Sequence, residues 1–183
     1  MERKKYGFPE QEHFPPFVYK EEVYDLSHLD SHKVEYIQPA IASSGRPDIM
    51  YTFYITYSMH CFAKHHDGQC PMEADSLMYH AKRESRPFCF RRYELSKRLP
   101  DLISRLPKLL NFHAGHESYA TCSLENGDDY FISFAAFREK KKLRLHIMSA
   151  YPLDKPLGKR KKVSFFSIAN ALKKNRSLPR PQK

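Results

Sequence analysis

Two apolar runs joined by a short charged segment form the clearest pattern in the chain. Residues 130–137 are apolar or small at nearly every position, and residues 143–150 alternate between apolar and polar side chains. The five residues between them, Arg-Glu-Lys-Lys-Lys, are all charged, as expected of a tight turn. This pattern predicts a β-hairpin spanning Asp129–Tyr151, with its first strand covered on both faces. In the second strand, Arg144 and His146 then point to the same face.

Four further segments alternate like strands. They are Glu21–Leu26, Lys33–Gln38, Ile49–Ser58 and Ser118–Leu124. The first two flank a turn-like insert, which predicts an N-terminal hairpin. The Asn126-Gly-Asp128 turn after the fourth segment leads into the central hairpin. Residues 71–90 lack the pattern and are predicted to be irregular, and residues 111–115 are predicted to form a loop.

One leucine-rich segment has helical spacing. Leucines recur at steps of four and three along Leu95–Leu109, which places them on one buried stripe. Pro100 and Pro107 cannot lie inside one regular helix. We therefore expect a short helix to about Leu99, followed by a second helix that Pro100 opens. A third short helix is predicted at Ser167–Lys174.

These elements together predict an α+β fold, with a mainly antiparallel sheet, a helical insertion and the N-terminal hairpin. Residues 1–16 are charged and contain prolines, which predicts a flexible arm. Residues 175–183 are basic with two prolines and are predicted to be a disordered tail. Residues 17–174 then form a single α+β domain, as the length of the chain suggests.

The charge of the chain is unevenly distributed. The net charge is +10, from 31 Lys and Arg against 21 Asp and Glu. Residues 138–183 contain fifteen Lys and Arg but only Glu139 and Asp154, a local balance of +13, which leaves −3 for residues 1–137. This asymmetry predicts a polyanionic partner, with nucleic acid first and RNA favoured. A basic end that only aids solubility is the alternative.

The sequence predicts a cytoplasmic protein. No apolar run is long enough to cross a membrane, and the charged N-terminus lacks the apolar core of a secretion signal. Cys61, Cys70, Cys89 and Cys122 are widely spaced, so free thiols in a reducing compartment are expected. No membrane partner is predicted.

A histidine-rich segment follows the strand that ends at Ser58. His60 lies at the strand exit and is the first candidate for an acid or base, because such loops often carry functional residues. Zinc is a weaker alternative, with His60, His65, His66 and Cys70 as candidate ligands. Their spacing matches no familiar zinc motif, so no metal or other cofactor is predicted. A surface loop without catalytic function is the other alternative.

Several basic residues are candidates for binding phosphate. Arg91 and Arg92 stand at the start of a predicted helix, where arginines and unpaired backbone N–H groups can bind phosphate. Arg144 and His146 share a strand face that is either a solvated surface or a site for a phosphate backbone. Further residues are predicted to bind nucleic acid through their charge: Lys141, Lys142, Lys159, Arg160, Lys161 and Lys162.

The sequence leaves open whether the chain is an enzyme. It contains no Gly-rich phosphate loop, no GxSxG or HExxH motif and no acidic cluster suited to Mg²⁺. A metal-independent endoribonuclease needs only a base, an acid and cationic stabilisation, because the RNA 2′-hydroxyl is the nucleophile. His60, His146, Arg144 and Tyr151 are the candidate catalytic residues on this hypothesis, which requires that they converge in space.

The order of elements over residues 50–175 resembles the compact ribonuclease-toxin superfamily that includes RelE-type and barnase-like toxins. Three segments, YSMHCF (57–62), RRYELSKRLP (91–100) and LRLHIMSAYP (143–152), also resemble those of small uncharacterised proteins from bacterial mobile elements. The first resemblance implies RNA cleavage, with Arg144 and His146 on the hairpin strand and Tyr151 at its end.

The sequence is compatible with three functions. The first is an RNA-directed protein, as an endoribonuclease toxin or effector of a mobile element. The second is a non-catalytic nucleic-acid-binding or regulatory protein. The third is a module that inhibits or assembles with a protein partner, such as an antitoxin.

Overall fold

The computed structural model describes ten strands and three α-helices within residues 13–41, 43, 45–64, 77–81, 84–115, 118–123, 130–153 and 160–179. The strands are β1 (Phe17–Tyr19), β2 (Glu22–Tyr24), β3 (His32–Gln38), β4 (Ile49–Tyr57), β5 (Met78–His80), β6 (Ser85–Pro87), β7 (Asn111–Gly115), β8 (Ser118–Ser123), β9 (Tyr130–Glu139) and β10 (Lys142–Pro152). The helices are α1 (Phe90–Ser96), α2 (Leu99–Ser104) and α3 (Phe165–Lys173).

Six of these strands form one mixed sheet in the order β3-β4-β10-β9-β8-β7. Among the described strands of this sheet, β4 and β10 pair in parallel, and the other neighbours pair antiparallel. The sequence prediction of an α+β fold with a mainly antiparallel sheet is therefore confirmed. The parallel pair at the centre was not predicted, because alternation within a strand does not reveal its neighbours.

The core lies on one face of this sheet. Aromatic and aliphatic side chains from β4, β9 and β10 point to it and are buried. Helix α3 covers them, since Phe165 packs on Phe53 and Tyr36 with ring centroids 5.6 and 4.6 Å apart. The opposite side, which we call the open face, carries Tyr54, Thr56, Phe131, Phe137 and His146, and all of these except His146 are only half-buried.

A cluster of aromatic side chains packs the β1–β2 and β5–β6 hairpins beside the end of the six-stranded sheet. Phe17 of β1 stacks on Phe88 at 4.2 Å, and Phe14 meets Phe62 edge-on at 5.1 Å. Phe14 is thus buried within the folded body of the protein. The cluster also fixes the start of α1, where Tyr93 contacts Phe88 at 5.5 Å.

The N-terminal hairpin exists, but between strands other than those predicted. β2 pairs with β1, and β3 pairs with β4. The two-residue turn Lys20-Glu21, with both φ angles positive, reverses the chain before the turn-like insert, which begins only at Ser27. A charged pair is a poor signal for such a turn, which usually contains Asn or Gly.

Two further predictions were wrong. Residues 78–80 and 85–87 form the β5–β6 hairpin, although 71–90 was expected to be irregular. Residues 111–115 form β7, the edge strand beside β8, where a loop was expected. These strands are only three to five residues long, so they contain too few positions for alternation to distinguish them from a loop.

The remaining predicted elements are confirmed. β9 and β10 form the central hairpin, α1 ends before Leu99, and Pro100 lies in the first turn of α2. Helix α3 begins two residues before Ser167. The Asn126–Asp128 turn lies outside the described residues. None of the described helices has the length and apolarity needed to span a bilayer.

Candidate functional site

A β-bulge in β10 determines which side chains share the open face. β10 shifts its register against β9 at Met148. Before the bulge, His146 lies opposite Ala135, and after it Tyr151 lies opposite Phe131. Ala135 and Phe131 are four positions apart on β9 and therefore face the same side. Tyr151 thus joins His146 on the open face, whereas strict alternation along β10 would separate them.

His146 is enclosed at the centre of this face. Its side chain is only 4% exposed, and its Nδ1 lies 2.9 Å from the Thr56 hydroxyl on the parallel neighbour β4. Burial lowers the pKa of His146 to about 4, and the charge of nearby His60 acts in the same direction. His146 is therefore neutral near pH 7. Because His146 is buried, its side chain is neither solvated nor exposed for contact with a phosphate.

His60 stands beside His146 at the end of β4. It lies in a one-turn 3-10 helix, Met59–Cys61, and its backbone N–H donates to the Ser58 hydroxyl at the start of that helix. The His60 Nε2 is 3.4 Å from a carboxylate oxygen of Glu84. Partial burial lowers the pKa of His60, and the positive charge of Arg86 adds to the effect. Both histidines are held in the neutral form.

Arg92 connects the 3-10 helix to the end of β10. Its Nη1 donates to the carbonyl oxygens of His60 and Ala63, at 3.1 and 2.7 Å. Its guanidinium lies over the Tyr151 ring, 5.4 Å from the centroid, and that ring contacts Phe131 at 5.2 Å. Arg92 is therefore a structural residue whose charge is held in a fixed place.

A basic cavity opens at this end of the sheet. Its volume is about 210 Å³. Six described residues line it: Lys64, Cys89, Arg91, Arg92, Tyr151 and Pro152. Three of the six carry a positive charge, and none of these six is acidic. The sequence-predicted residues Arg91, Arg92 and Tyr151 therefore do meet in space, close to His60.

Arg144 is placed differently. It lies on the open face toward the turn of the central hairpin, and its Nε is 2.9 Å from a carboxylate oxygen of Glu139. The Glu139 carboxylate compensates the positive charge of Arg144. The structure therefore does not bring Arg144 to the cavity with Tyr151.

The same end of the open face carries an aromatic ring flanked by lysines. Tyr54 of β4 has Lys33 Nζ and Lys142 Nζ at 5.2 and 4.8 Å from its ring centroid. Lys140 and Lys141 form the adjoining turn. Lys141 and Lys142 were predicted from the sequence, whereas Tyr54 and Lys33 were not. The alternation of β4, which sets Tyr54 among threonines on the less apolar side, was the signal for it.

The other predicted residues lie elsewhere or outside the described chain. Arg160, Lys161 and Lys162 are exposed, and Lys162 pairs with Phe112 on the edge strand β7. Lys159 lies outside the described residues, as do His65, His66 and Cys70. Within the described residues, no cluster of three or more His, Cys, Asp or Glu could hold a metal ion.

The open face and the cavity together have the chemistry of a surface for planar rings and anions. Half-buried aromatic rings lie along the face, lysines surround one end, and the basic cavity lies at the other. The two neutral histidines lie between them and add hydrogen-bonding capacity but no charge.

Comparison with known proteins identifies relatives along nearly the whole chain. The model of the YjaZ family matches residues 16–173. Protein YjaZ of Escherichia coli (strain K12) is 46% identical over 180 residues, which cover 95% of this chain and 98% of that protein. No solved structure gives a significant match.

These matches overturn the resemblance to RelE-type and barnase-like toxins and to proteins of bacterial mobile elements. That resemblance rested on element order and on three short segments. Element order is shared by unrelated α+β proteins, and it carries no residue-level information about a site.

Proposed function

The chain belongs to the YjaZ family, and we propose that it binds single-stranded nucleic acid, with RNA favoured, along the open face of the sheet. The observation that carries this proposal is the arrangement of aromatic rings on that face with lysines and an arginine directly against them. The proposal is for binding and includes no catalytic step. His146 is too enclosed to contact a strand, and Arg144 is paired with Glu139.

Aromatic side chains on this face offer stacking positions for unpaired bases. Tyr54 of β4, and Phe131 and Phe137 of β9, are half-buried, so one part of each ring remains accessible. Stacking of a base on such a ring contributes about 1–3 kcal/mol and tolerates any base. Side chains on alternate positions of neighbouring strands suit successive bases of an extended strand.

The cations lie where the phosphates of such a strand would run. Lys33 and Lys142 border the Tyr54 ring, and Lys140 and Lys141 extend the positive charge along the hairpin turn. Each phosphate contact releases bound counterions, so affinity falls as salt concentration rises. The local balance of +13 in residues 138–183 supports a polyanionic ligand of this kind.

The test is fluorescence anisotropy with 12-nucleotide RNA and DNA strands of mixed sequence, titrated with the protein at several salt concentrations. We expect binding that weakens steeply with salt and is stronger for RNA. Tyr54→Ala should weaken binding about tenfold, because one stacking platform is lost. Tyr54→Phe retains the ring and should bind like the wild type.

Lys33→Gln tests the electrostatic contribution of this lysine to strand binding. It should lower the slope of log affinity against log salt by roughly 0.7 to 1, the value for one phosphate contact. Absence of binding to either strand at low salt would refute the proposal. Binding that is unaffected by Tyr54→Ala would place the ligand on another surface, and equal affinity for DNA would remove the preference for RNA.

A further inference from the structure

We propose that β3, an edge strand of the six-stranded sheet, pairs antiparallel with the β3 of a second copy of this chain. Among the described strands, β3 has only β4 as its neighbour. Its seven residues, His32–Gln38, therefore present one side of the backbone to a further strand. This interface is independent of the proposed function, since it needs no nucleic acid.

The strand is held in an extended form before any partner arrives. The buried Tyr36 side chain donates a hydrogen bond to the Ile103 carbonyl oxygen at 2.7 Å, and its ring packs on Phe165 with centroids 4.6 Å apart. All seven residues of β3 are in register with β4. An edge strand that is already ordered loses little backbone freedom when a further strand is added to it.

The side chains of β3 differ between its two faces. Lys33, Glu35 and Ile37 lie on the open face and are exposed, and Ile37 is 59% exposed. On the opposite face Val34 packs against the core but is only half-buried. Pairing with a second copy places an apolar neighbour beside Val34, which extends the core across the interface.

The charges of Lys33 and Glu35 select one register. In an antiparallel pair of identical strands, a two-fold axis passes through one residue position, and the residues on either side of it lie opposite each other across the interface. With the axis at Val34, Lys33 of each copy lies opposite Glu35 of the second copy. Both cross-strand pairs then join opposite charges, which stabilises the pairing. The two sheets become one continuous sheet with both open faces on the same side.

The neighbouring registers are unfavourable. An axis at Lys33 or at Glu35 places two like charges directly opposite each other, which destabilises a strand pair. A lysine on an edge strand ordinarily discourages association for this reason. In the register with the axis at Val34, the charge of Lys33 is instead compensated by the partner strand. The self-complementary order of Lys33 and Glu35 thus identifies a second copy as the occupant of this edge.

The test measures the oligomeric state of the full chain by sedimentation equilibrium from about 1 to about 200 μM protein, without nucleic acid. The salt concentration is about 0.15 M, which screens the repulsion between copies that each carry a net charge of +10. We expect a reversible dimer for the wild type. Lys33→Glu and Glu35→Lys should each weaken dimerisation about thirtyfold, because both cross-strand pairs then join like charges. An equimolar mixture of the two variants should dimerise like the wild type, since each altered charge meets its opposite on the other chain.

Three controls accompany this measurement. The double variant Lys33→Glu, Glu35→Lys exchanges the two charges within one chain and should restore the wild-type dimer. Lys174→Glu makes the same change of charge at an exposed position outside β3 and should leave dimerisation unchanged. Hydrogen exchange needs no variant, and in the wild type the amides of β3 should exchange about tenfold more slowly at the highest protein concentration than at the lowest.

Each outcome decides the proposal. A wild type that is monomeric at every concentration overturns it. A dimer whose affinity is the same in all variants, or whose β3 amides exchange equally fast at both concentrations, forms through another surface and overturns it as well. Dimerisation that the single variants lose, and that neither the mixture nor the double variant regains, contradicts the pairing of Lys33 with Glu35. Recovery in the mixture together with slower exchange in β3 supports the interface.

Discussion

His146 stays neutral because the sheet encloses its imidazole. Its Nδ1 lies 2.9 Å from the Thr56 hydroxyl, and the ring has almost no access to water. A charged imidazole there would lose most of its hydration, which accounts for the lowered pKa. Protonation of His146 therefore changes the free energy of unfolding of the whole protein.

The first prediction is a loss of stability in mild acid. The unfolded chain takes up a proton at His146 near pH 6.5, whereas the folded protein does so only near pH 4. Stability from this residue is therefore complete above pH 6.5 and falls as the pH decreases toward 4. Between pH 7 and pH 5 the loss should be about 2 kcal/mol. Denaturant unfolding of wild type and His146→Asn at both pH values measures it.

The Asn variant keeps a polar atom near the Thr56 hydroxyl but cannot titrate. The wild type should lose about 2 kcal/mol more than the variant between the two pH values. Equal losses would show that His146 titrates normally in the folded protein.

The second prediction concerns Arg92. Replacement by Met keeps much of the side-chain volume but removes both hydrogen bonds to the carbonyl oxygens of His60 and Ala63. We expect a loss of about 2 kcal/mol in the free energy of unfolding, because charged hydrogen bonds are strong and the carbonyls lose their partner. Arg91→Met, at the exposed neighbouring position, is the control and should change stability by less than about 0.5 kcal/mol. Similar losses in both variants would contradict a structural role specific to Arg92.

At the scale of elements, the turn between β9 and β10 is unusual in its composition. Lys140 and Lys141 adopt φ angles of 47° and 66°, the left-handed conformation that Asn and Gly favour. The turn that joins β1 and β2 has the same geometry at Lys20 and Glu21. In both hairpins the flanking strands impose a conformation that the turn residues disfavour.

The third prediction follows from this strain. Lys140→Asn with Lys141→Gly should stabilise the protein by about 1 kcal/mol, because both positions then tolerate positive φ. The control, Lys140→Ala with Lys141→Ala, loses the same two charges and keeps the strain, so it should give no gain. Chemical denaturation of the three proteins measures the difference. A gain in the Ala variant would assign the effect to charge repulsion.

The β-bulge in β10 is a feature of this strand that the alternation of its residues did not predict. The central hairpin was predicted correctly from its alternation, including the shared face of Arg144 and His146. The face on which Tyr151 lies could not be predicted. The extra residue at the bulge, Met148, moves every later side chain of β10 to the opposite face of the sheet. No residue type in LRLHIMSAYP marks that shift.

At the scale of the whole molecule, the six-stranded sheet should be the most stable unit. β10 has a neighbour on both sides, and its Leu145 and Ile147 are fully buried. The β1–β2 hairpin is a separate two-stranded sheet, and its outer face exposes Val18 and Val23. The two units therefore differ in how much packing is lost when they open.

The fourth prediction is a difference in hydrogen exchange. Backbone amides of β9 and β10 should exchange only through global unfolding, whereas those of β1 and β2 should exchange at least about tenfold faster through local opening. Exchange followed by mass spectrometry or NMR resolves the two regions. Equal protection of both would show that the hairpin and the sheet unfold as one cooperative unit.

Sequence patterns predicted the class of the fold and part of the site, but not the arrangement. His60, Arg91, Arg92 and Tyr151 were singled out by residue type and do lie together. The contacts that join them are long-range, through the parallel β4–β10 pair and the packing of α1. Periodicity within one segment carries no information on such contacts.

The parallel pairing of β4 with β10 also has a consequence for how the chain is made. The two strands are about 90 residues apart in sequence, as His146 beside Thr56 shows. At a synthesis rate of about 5–20 residues per second, β4 emerges several seconds before its central partner exists. During that interval one edge of β4 is unpaired and its apolar side is uncovered, which is the condition for association between nascent chains. Productive folding of this protein therefore depends on the last third of the polypeptide, and on whatever shields the first two thirds until it arrives.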